Sequence, residues 1–264
     1  MIEAKHTQRK KNIFFSIALI FLFGFLFISC NGGDGTGNDP NANNSNNNND
    51  NNNNNNGNQD SAFILYPQKD NTLYENATGS VSNGEGSVLI VGRTNEGSTY
   101  LRRAVLMFDI ASDVPAGATI TNAILRLSTK RVASNTARTI DLYRIESNWD
   151  QGMSSINNNA GQGDASTTGD ATWIHGLYNT VMWTTAGGDY NATSLASVDV
   201  TSANNSYEWT SNDLIADVQD MLDNPSTNYG WILIGDESTS KSAKIFSSLE
   251  GTSAPELELE FDEP

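Results

Sequence analysis

Cysteine is almost absent from this chain: Cys30 is the only one in 264 residues. No disulfide can form within the chain, so whatever folds here is held by its core alone. Histidine is nearly as scarce, and only His175 of the two lies beyond Cys30. A His-centred catalytic triad and a zinc site of the usual ligand spacing are therefore both poorly supported. His175 itself, in Trp173-Ile174-His175, reads as a loop residue bonded to backbone, with direct ligand contact as the alternative. Positive charge is also short. Four basic side chains and one acidic one, Glu3, precede Cys30, which leaves 11 basic and 30 acidic side chains beyond it and a net charge of −19. A field of that sign repels phosphate backbones, and no basic stripe interrupts it, so nucleic acid is not an expected partner. A long apolar run is missing as well. The stretch from Ile13 to Ile28, broken by Ser16 and Gly24, falls short of the roughly 20 apolar residues a membrane-spanning helix needs.

What is present at the start gives that short run a purpose. Lys5, Arg9, Lys10 and Lys11 precede it, and Leu26-Phe27-Ile28-Ser29-Cys30 closes it, the order of a secretory signal. The closing residues resemble a bacterial lipobox, in which the cysteine thiol is diacylated before cleavage. The expectation is a signal peptide over 1–29, a lipid on Cys30 that anchors the chain to a membrane, and a place in the bacterial cell envelope, at the outer membrane or cell surface. Residues 30–61 are almost wholly Asn, Gly, Asp, Ser and Thr, including the unbroken run Asn51 to Asn56. Such a segment has too little apolar surface to offset ordering entropy and reads as a disordered tether.

The remaining residues, 62–264, suit one β-rich domain. Strand patterns fall at Ala62 to Tyr66, Ser87 to Val91, Arg103 to Asp109, Ile120 to Lys130, Thr139 to Ile145 and Trp231 to Gly235. The clearest is Glu256 to Phe261, where Leu257, Leu259 and Phe261 alternate with three glutamates. One segment has helical spacing instead: Leu214, Ile215, Val218, Met221 and Leu222 follow the capping candidate Ser211 and stop at Asn224-Pro225, predicting a short helix over 211–223. Between Asn148 and Trp209 the chain turns to Gly, Ser, Thr, Asn and Trp. A structureless loop of that length would be unusual in a compact domain, so its tryptophans are expected to pin it, with short strands inside.

Residue groups spread along the domain carry a family resemblance. They are Asp70-Asn71-Thr72-Leu73-Tyr74, Leu101-Arg102-Arg103 leading to Phe108-Asp109, Pro115 to Ile120, Asn148-Trp149, Gly169-Asp170-Ala171-Thr172-Trp173, Trp183 with Gly187-Gly188-Asp189, Asn224-Pro225, and Gly230 to Gly235. Together they resemble the DNRLRE-type secreted domain, which is related to disaggregatase-type repeats. The resemblance implies a jelly-roll-like antiparallel β-sandwich of carbohydrate-binding-module type, and binding of extracellular polysaccharide without catalysis.

Several residues are candidates for that function. Trp149, Trp173, Trp183 and Trp209 sit in polar, Gly-rich surroundings where an aromatic face can stack on a sugar ring, whereas Trp231 lies in an apolar strand and reads as core. Arg102 and Arg103 are adjacent and so face opposite sides of a strand; structural pairing with a carboxylate competes with contact to a uronic acid. Asp70, Asn71, Asp109, Asp236, Glu237 and Asp262 stand at strand ends as oxygen ligands for a structural calcium ion, against the plainer reading of solvated turn residues. No cofactor is required. Two other functions compete: an adhesive surface protein whose tryptophans are all core, and a polysaccharide-degrading enzyme working through paired carboxylates.

Overall fold

The computed structural model describes residues 61–95, 100–156 and 161–264. The segments expected to be a signal peptide (1–29) and a tether (30–61), with the expected lipid site at Cys30, lie outside the described residues up to residue 60. In chain order the domain runs through β1 (Ser61–Leu65), β2 (Lys69–Tyr74), β3 (Val81–Ser82), β4 (Val88–Arg93), β5 (Leu101–Met107), α1 (Ile110–Asp113), β6 (Thr119–Val132) and β7 (Arg138–Arg144). It continues with β8 (Asp164–Ala165), β9 (His175–Leu177), β10 (Val181–Met182), β11 (Ala196–Val200), β12 (Ser206–Trp209) and α2 (Asn212–Asp223). After a 3-10 turn at Pro225–Thr227 come β13 (Trp231–Ile234), β14 (Lys244–Ser247) and β15 (Glu256–Asp262).

Eleven strands form one curled antiparallel sheet in the order β1-β15-β6-β14-β4-β5-β13-β7-β11, with β12 beside β6 and β2 beside β5. The sheet closes on itself as a jelly-roll-like sandwich because strands from both halves turn apolar faces inward. On β6 the inner row is Ala123, Leu125 and Leu127; on β15 it is Leu257, Leu259 and Phe261; from the opposite half come Ala104, Leu106, Leu142 and Leu233. Each fully buried leucine contributes about 1.5–3 kcal/mol relative to exposure. Period-two alternation leaves Glu256, Glu258 and Arg126 on the outer face, where Arg126 meets Glu208, Glu256 and Glu258 at 2.9–3.3 Å.

The predicted helix forms over Asn212–Asp223. Ser211 caps it by accepting a hydrogen bond from the Leu214 N–H at 2.9 Å, and Leu214, Val218, Met221 and Leu222 close one side of the sandwich. All seven strand patterns read from the sequence correspond to strands, shifted by one or two residues at some ends. β2 and β14 were not foreseen. β2 carries Asp70, Asn71 and Thr72, all at most 1% exposed, so a buried polar run hides its strand pattern. β14 opens with Lys244, which is 1% exposed and donates to the carbonyls of Ser134, Thr136 and Thr201 at 2.7, 3.0 and 3.3 Å. Its three donors are thereby satisfied, which is what permits an ammonium to lie inside.

The glycine-rich excursion divides in two. Its last part is not loop: β11 pairs with β7 and β12 pairs with β6, both in the main sheet. The part from Glu146 to Leu195 folds over the outer face of β2, β5, β13 and β7 and buries a second apolar layer there. That layer consists of Leu73, Val105, Ile145, Trp149, Ala171, Trp173, Trp183 and Ile232.

Candidate functional site

Trp149, Trp173 and Trp183 are the pins of this second layer, whereas Trp209 lies in the interior of the sandwich against Phe246. Trp149 and Trp209 are both 0% exposed, and their indole N–H groups donate to Tyr229 O at 2.7 Å and Ile140 O at 2.9 Å. Trp183 is 5% exposed and donates to Thr172 O at 2.9 Å. Trp173 is 9% exposed and has the Arg103 guanidinium over its ring at 4.9 Å. The expected stacking platform on Trp149, Trp173, Trp183 and Trp209 is therefore corrected: these rings are buried, Trp149, Trp173 and Trp183 in the layer beneath the loops and Trp209 between the halves of the sandwich. A Gly-rich neighbourhood looked like surface when it was the route of the backbone around a buried indole.

Two aspartates shape the loops around those indoles. Asp170, fully buried, accepts from the backbone N–H groups of Met153 (2.8 Å), Ser154 (3.3 Å) and Thr167 (2.6 Å). Asp189 accepts from the N–H groups of Thr184 and Thr185, both at 2.8 Å, and from the Ser147 hydroxyl at 3.1 Å. Desolvation pushes its pKa up, but these hydrogen bonds outweigh it and hold the carboxyl below the ordinary value. Gly187, with φ of +93°, lies where an added Cβ would stand 2.5 Å from Arg103 Nη1, so the Gly187-Gly188 pair is a packing requirement.

Both arginines are occupied. Arg103 makes a bidentate pair with Glu237 at 2.7 and 3.0 Å and donates to Gly187 O at 2.9 Å. Burial acts to lower its pKa, and the Glu237 carboxylate raises it further than burial lowers it. Arg102 points to the other side of β5. It is 2% exposed, covers the Tyr74 ring at 4.6 Å and donates to Gly161 O at 2.8 Å. Arg103 thus takes the structural pairing with a carboxylate, Glu237, and Arg102 is buried against Tyr74. His175 packs edge-on against Tyr178 and shares a 3.0 Å hydrogen bond with Thr172 Oγ1, as a loop-structuring residue would.

The calcium candidates do not come together. Among the described residues no group of three or more His, Cys, Asp or Glu side chains is placed to hold a metal ion. Asp70 is buried, with Oδ2 accepting from Leu249 N–H at 2.7 Å; burial pushes its pKa well up. Asn71 donates to Ser82 Oγ and Gln151 O, both at 2.9 Å. Asp236 accepts from Arg138 at 2.8 Å and from Ser238 and Thr239. Asp109 starts α1 and Asp262 ends β15. Turn and core bonding accounts for Asp70, Asn71 and Asp236 at three separate places.

What sequence reasoning did not find is a groove where the excursion leaves and rejoins β7. Two open pockets of about 650 and 540 Å³ meet at Glu146. Their walls include Tyr190 and Tyr229, both half-buried, and the exposed side chains of Asn191, Thr193 and Thr227. Tyr190 is stiffened by Tyr143, whose ring lies 5.3 Å away at 50°, and by the Arg103 guanidinium 5.6 Å above it. Arg144 lies in the floor, paired with Asp217 at 2.8 Å and Asp220 at 3.3 Å, and Asp217 also accepts the Trp231 indole N–H at 2.7 Å. The arrangement sets half-buried tyrosines beside hydroxyl, amide and carboxylate groups in an open trough, which suits polar ligands presenting many hydroxyls. No local pattern marks it in the sequence: Ile145-Glu146, at the end of a strand, meets Tyr190-Asn191 through an isolated bridge between Ile145 and Tyr190.

No curated protein matches the chain. Residues 61–175 match the model of carbohydrate-binding module family 96, a span that contributes Arg144 and Glu146 to the groove and stops before Tyr190, Asp217 and Tyr229. Over that span the chain is similar to carbohydrate-binding modules, in agreement with the binding-module character that the sequence motifs imply.

Proposed function

We propose that this domain is a non-catalytic carbohydrate-binding module that engages extracellular polysaccharide through the groove at Glu146, Tyr190 and Tyr229. The observation that carries the reading is the groove itself: half-buried tyrosines, one of them braced by Tyr143 and Arg103, beside exposed hydrogen-bonding side chains, in a chain whose residues 61–175 are similar to a carbohydrate-binding family. Against hydrolysis stands the state of two of its four carboxylates. Asp189 and Asp217 each have both oxygens accepting hydrogen bonds within the protein, so neither is poised as a proton donor or nucleophile.

The setting belongs to the same proposal. A lipid on Cys30 would hold the chain in the bacterial envelope, at the outer membrane or cell surface, and the Asn-rich tether would let the domain sample polysaccharide beyond the membrane. Affinity electrophoresis of the full-length protein on xylan, pectin, chitin and alginate, with and without calcium, tests the binding. Retardation on at least one of them, lost in Tyr190→Ala and Tyr229→Ala while circular dichroism shows each variant still folded, is the expected result. Absence of retardation on all of them would turn the reading to an adhesive protein, and new reducing ends would turn it to an enzyme. Labelled palmitate incorporation, abolished by Cys30→Ser, tests the anchor.

A further inference from the structure

We propose that Arg103, held by Glu237, is a positioning residue for the groove: from the sheet side it fixes the 187–190 segment, so that Tyr190 stands in place before a glycan binds. This rests on the groove being the glycan site. Arg103 points from β5 into the second layer, where its Nε and Nη2 meet the two oxygens of Glu237 at 2.7 and 3.0 Å. A planar guanidinium paired through both nitrogens is held in one orientation. In that orientation it reaches both ends of the segment. Its Nη1 donates to Gly187 O at 2.9 Å, and its central carbon lies 5.6 Å from the centre of the Tyr190 ring and 4.9 Å from that of Trp173.

The segment needs such a hold. Gly187 and Gly188 have φ of +93° and +102°, a conformation that glycine enters and leaves more readily than other residues, and Gly188, Asp189 and Tyr190 all line the second pocket. Asp189 secures the middle through the N–H groups of Thr184 and Thr185, and Arg103 secures the ends. Glu237 is fixed in turn by residues that line neither pocket. Its backbone O accepts from Arg93 of β4 at 3.3 Å. The preceding Asp236 pairs with Arg138 at 2.8 Å and accepts from the N–H groups of Ser238 and Thr239, both at 2.9 Å. The loop between β13 and β14 thus sets Tyr190 without touching the groove, and a ring set in advance has less freedom to lose on binding.

Affinity electrophoresis of the full-length protein on xylan, pectin, chitin and alginate tests this with Glu237→Gln and Arg103→Lys. Glutamine keeps one acceptor and turns an amide N–H toward the guanidinium, whereas lysine keeps the charge and has no fork. On each polysaccharide that retards the wild type, both variants should bind about two- to tenfold more weakly, as expected for one freed side chain. A second measurement reads the ring itself. With carbon-13-labelled tyrosine, the Tyr190 resonances, assigned through Tyr190→Phe, should move in both variants while those of Tyr207 on β12 stay, a pattern that lower overall stability would not produce. The Glu237 side chain is 24% exposed, so Glu237→Gln should remain folded by circular dichroism, and it decides alone if Arg103→Lys does not fold. Wild-type affinity in Glu237→Gln, or weakened binding with unmoved Tyr190 resonances, would overturn the inference while leaving carbohydrate binding intact. A wild type retarded by none of the polysaccharides would overturn the groove reading and this inference with it.

Discussion

The domain has two apolar layers built by different means. Between the halves of the sandwich, strands supply the interior by simple alternation, as in Leu257, Leu259 and Phe261, and α2 adds a helical stripe. On the outer face of β2, β5, β13 and β7, the layer has few strands above it. It is held by large indoles whose N–H groups reach backbone carbonyls, and by aspartates that collect backbone N–H groups. The first layer tolerates many apolar residues of suitable size. The second depends on single polar anchors, because irregular backbone must have its hydrogen bonds satisfied residue by residue. That difference explains why the groove lies over the second layer: a loop layer can present side chains in arrangements that a flat strand face cannot.

The largest effects should separate the layers. Trp149→Ala and Trp209→Ala each remove a fully buried indole and should cost about 3–5 kcal/mol. Trp149→Ala should expose residues 146–195 to protease and hydrogen exchange while strand circular dichroism survives at low temperature. Trp209→Ala should lower the cooperative unfolding of the whole sandwich. If both variants lose the two layers together, the layers are one cooperative unit and the comparison fails.

Smaller effects sharpen the role of the polar anchors. Asp170→Ala leaves the N–H groups of Met153, Ser154 and Thr167 without their acceptor, at about 1–3 kcal/mol for a buried unsatisfied group, and local exchange in those loops should report it. Asp189 has a folded pKa below its unfolded one, so its contribution is present above the unfolded value of 3.8 and is lost as pH falls through the folded value. Asp189→Asn should therefore flatten the acid limb of the stability curve. Asp70 has the opposite sign. Its folded pKa is raised by burial, so it favours the fold below 3.8 and opposes it increasingly as pH rises toward the folded value. Asp70→Asn should thus raise the thermal midpoint at pH 8, by about 2–4 °C for each kcal/mol recovered, and do little at pH 3. The smallest effect belongs to the outer face of the other sheet. Arg126 pairs with glutamates that remain partly exposed, and Arg126→Ala should change stability by no more than about 1 kcal/mol.

The same contrast governs how much could be read from the sequence. The inner layer was legible because alternation and the 3.6-residue period survive in Leu257 to Phe261 and Leu214 to Leu222, and Ser211 announced the helix start. β2 and β14 were hidden by Asp70, Asn71 and Lys244, buried polar groups whose partners lie far along the chain. Trp149, Trp173 and Trp183 misled for a related reason: their sequence neighbours are loop residues, while they cluster in space with Leu73, Val105 and Ile232. The groove was illegible because Glu146, Asn191, Asp217 and Tyr229 meet only through the fold. Glu146 and Asn191 are brought together by the bridge between Ile145 and Tyr190, which no local pattern signals.

Hydrogen exchange of the full-length protein, with and without oligosaccharides of whichever polysaccharide retards it, tests the central claim most directly. Protection confined to 144–147, 189–195 and 227–229 is the predicted result, and it should vanish in Tyr190→Ala. Protection on the Arg126 face of β6 and β15 instead, or protection at the groove that persists without the Tyr190 ring, would contradict the account.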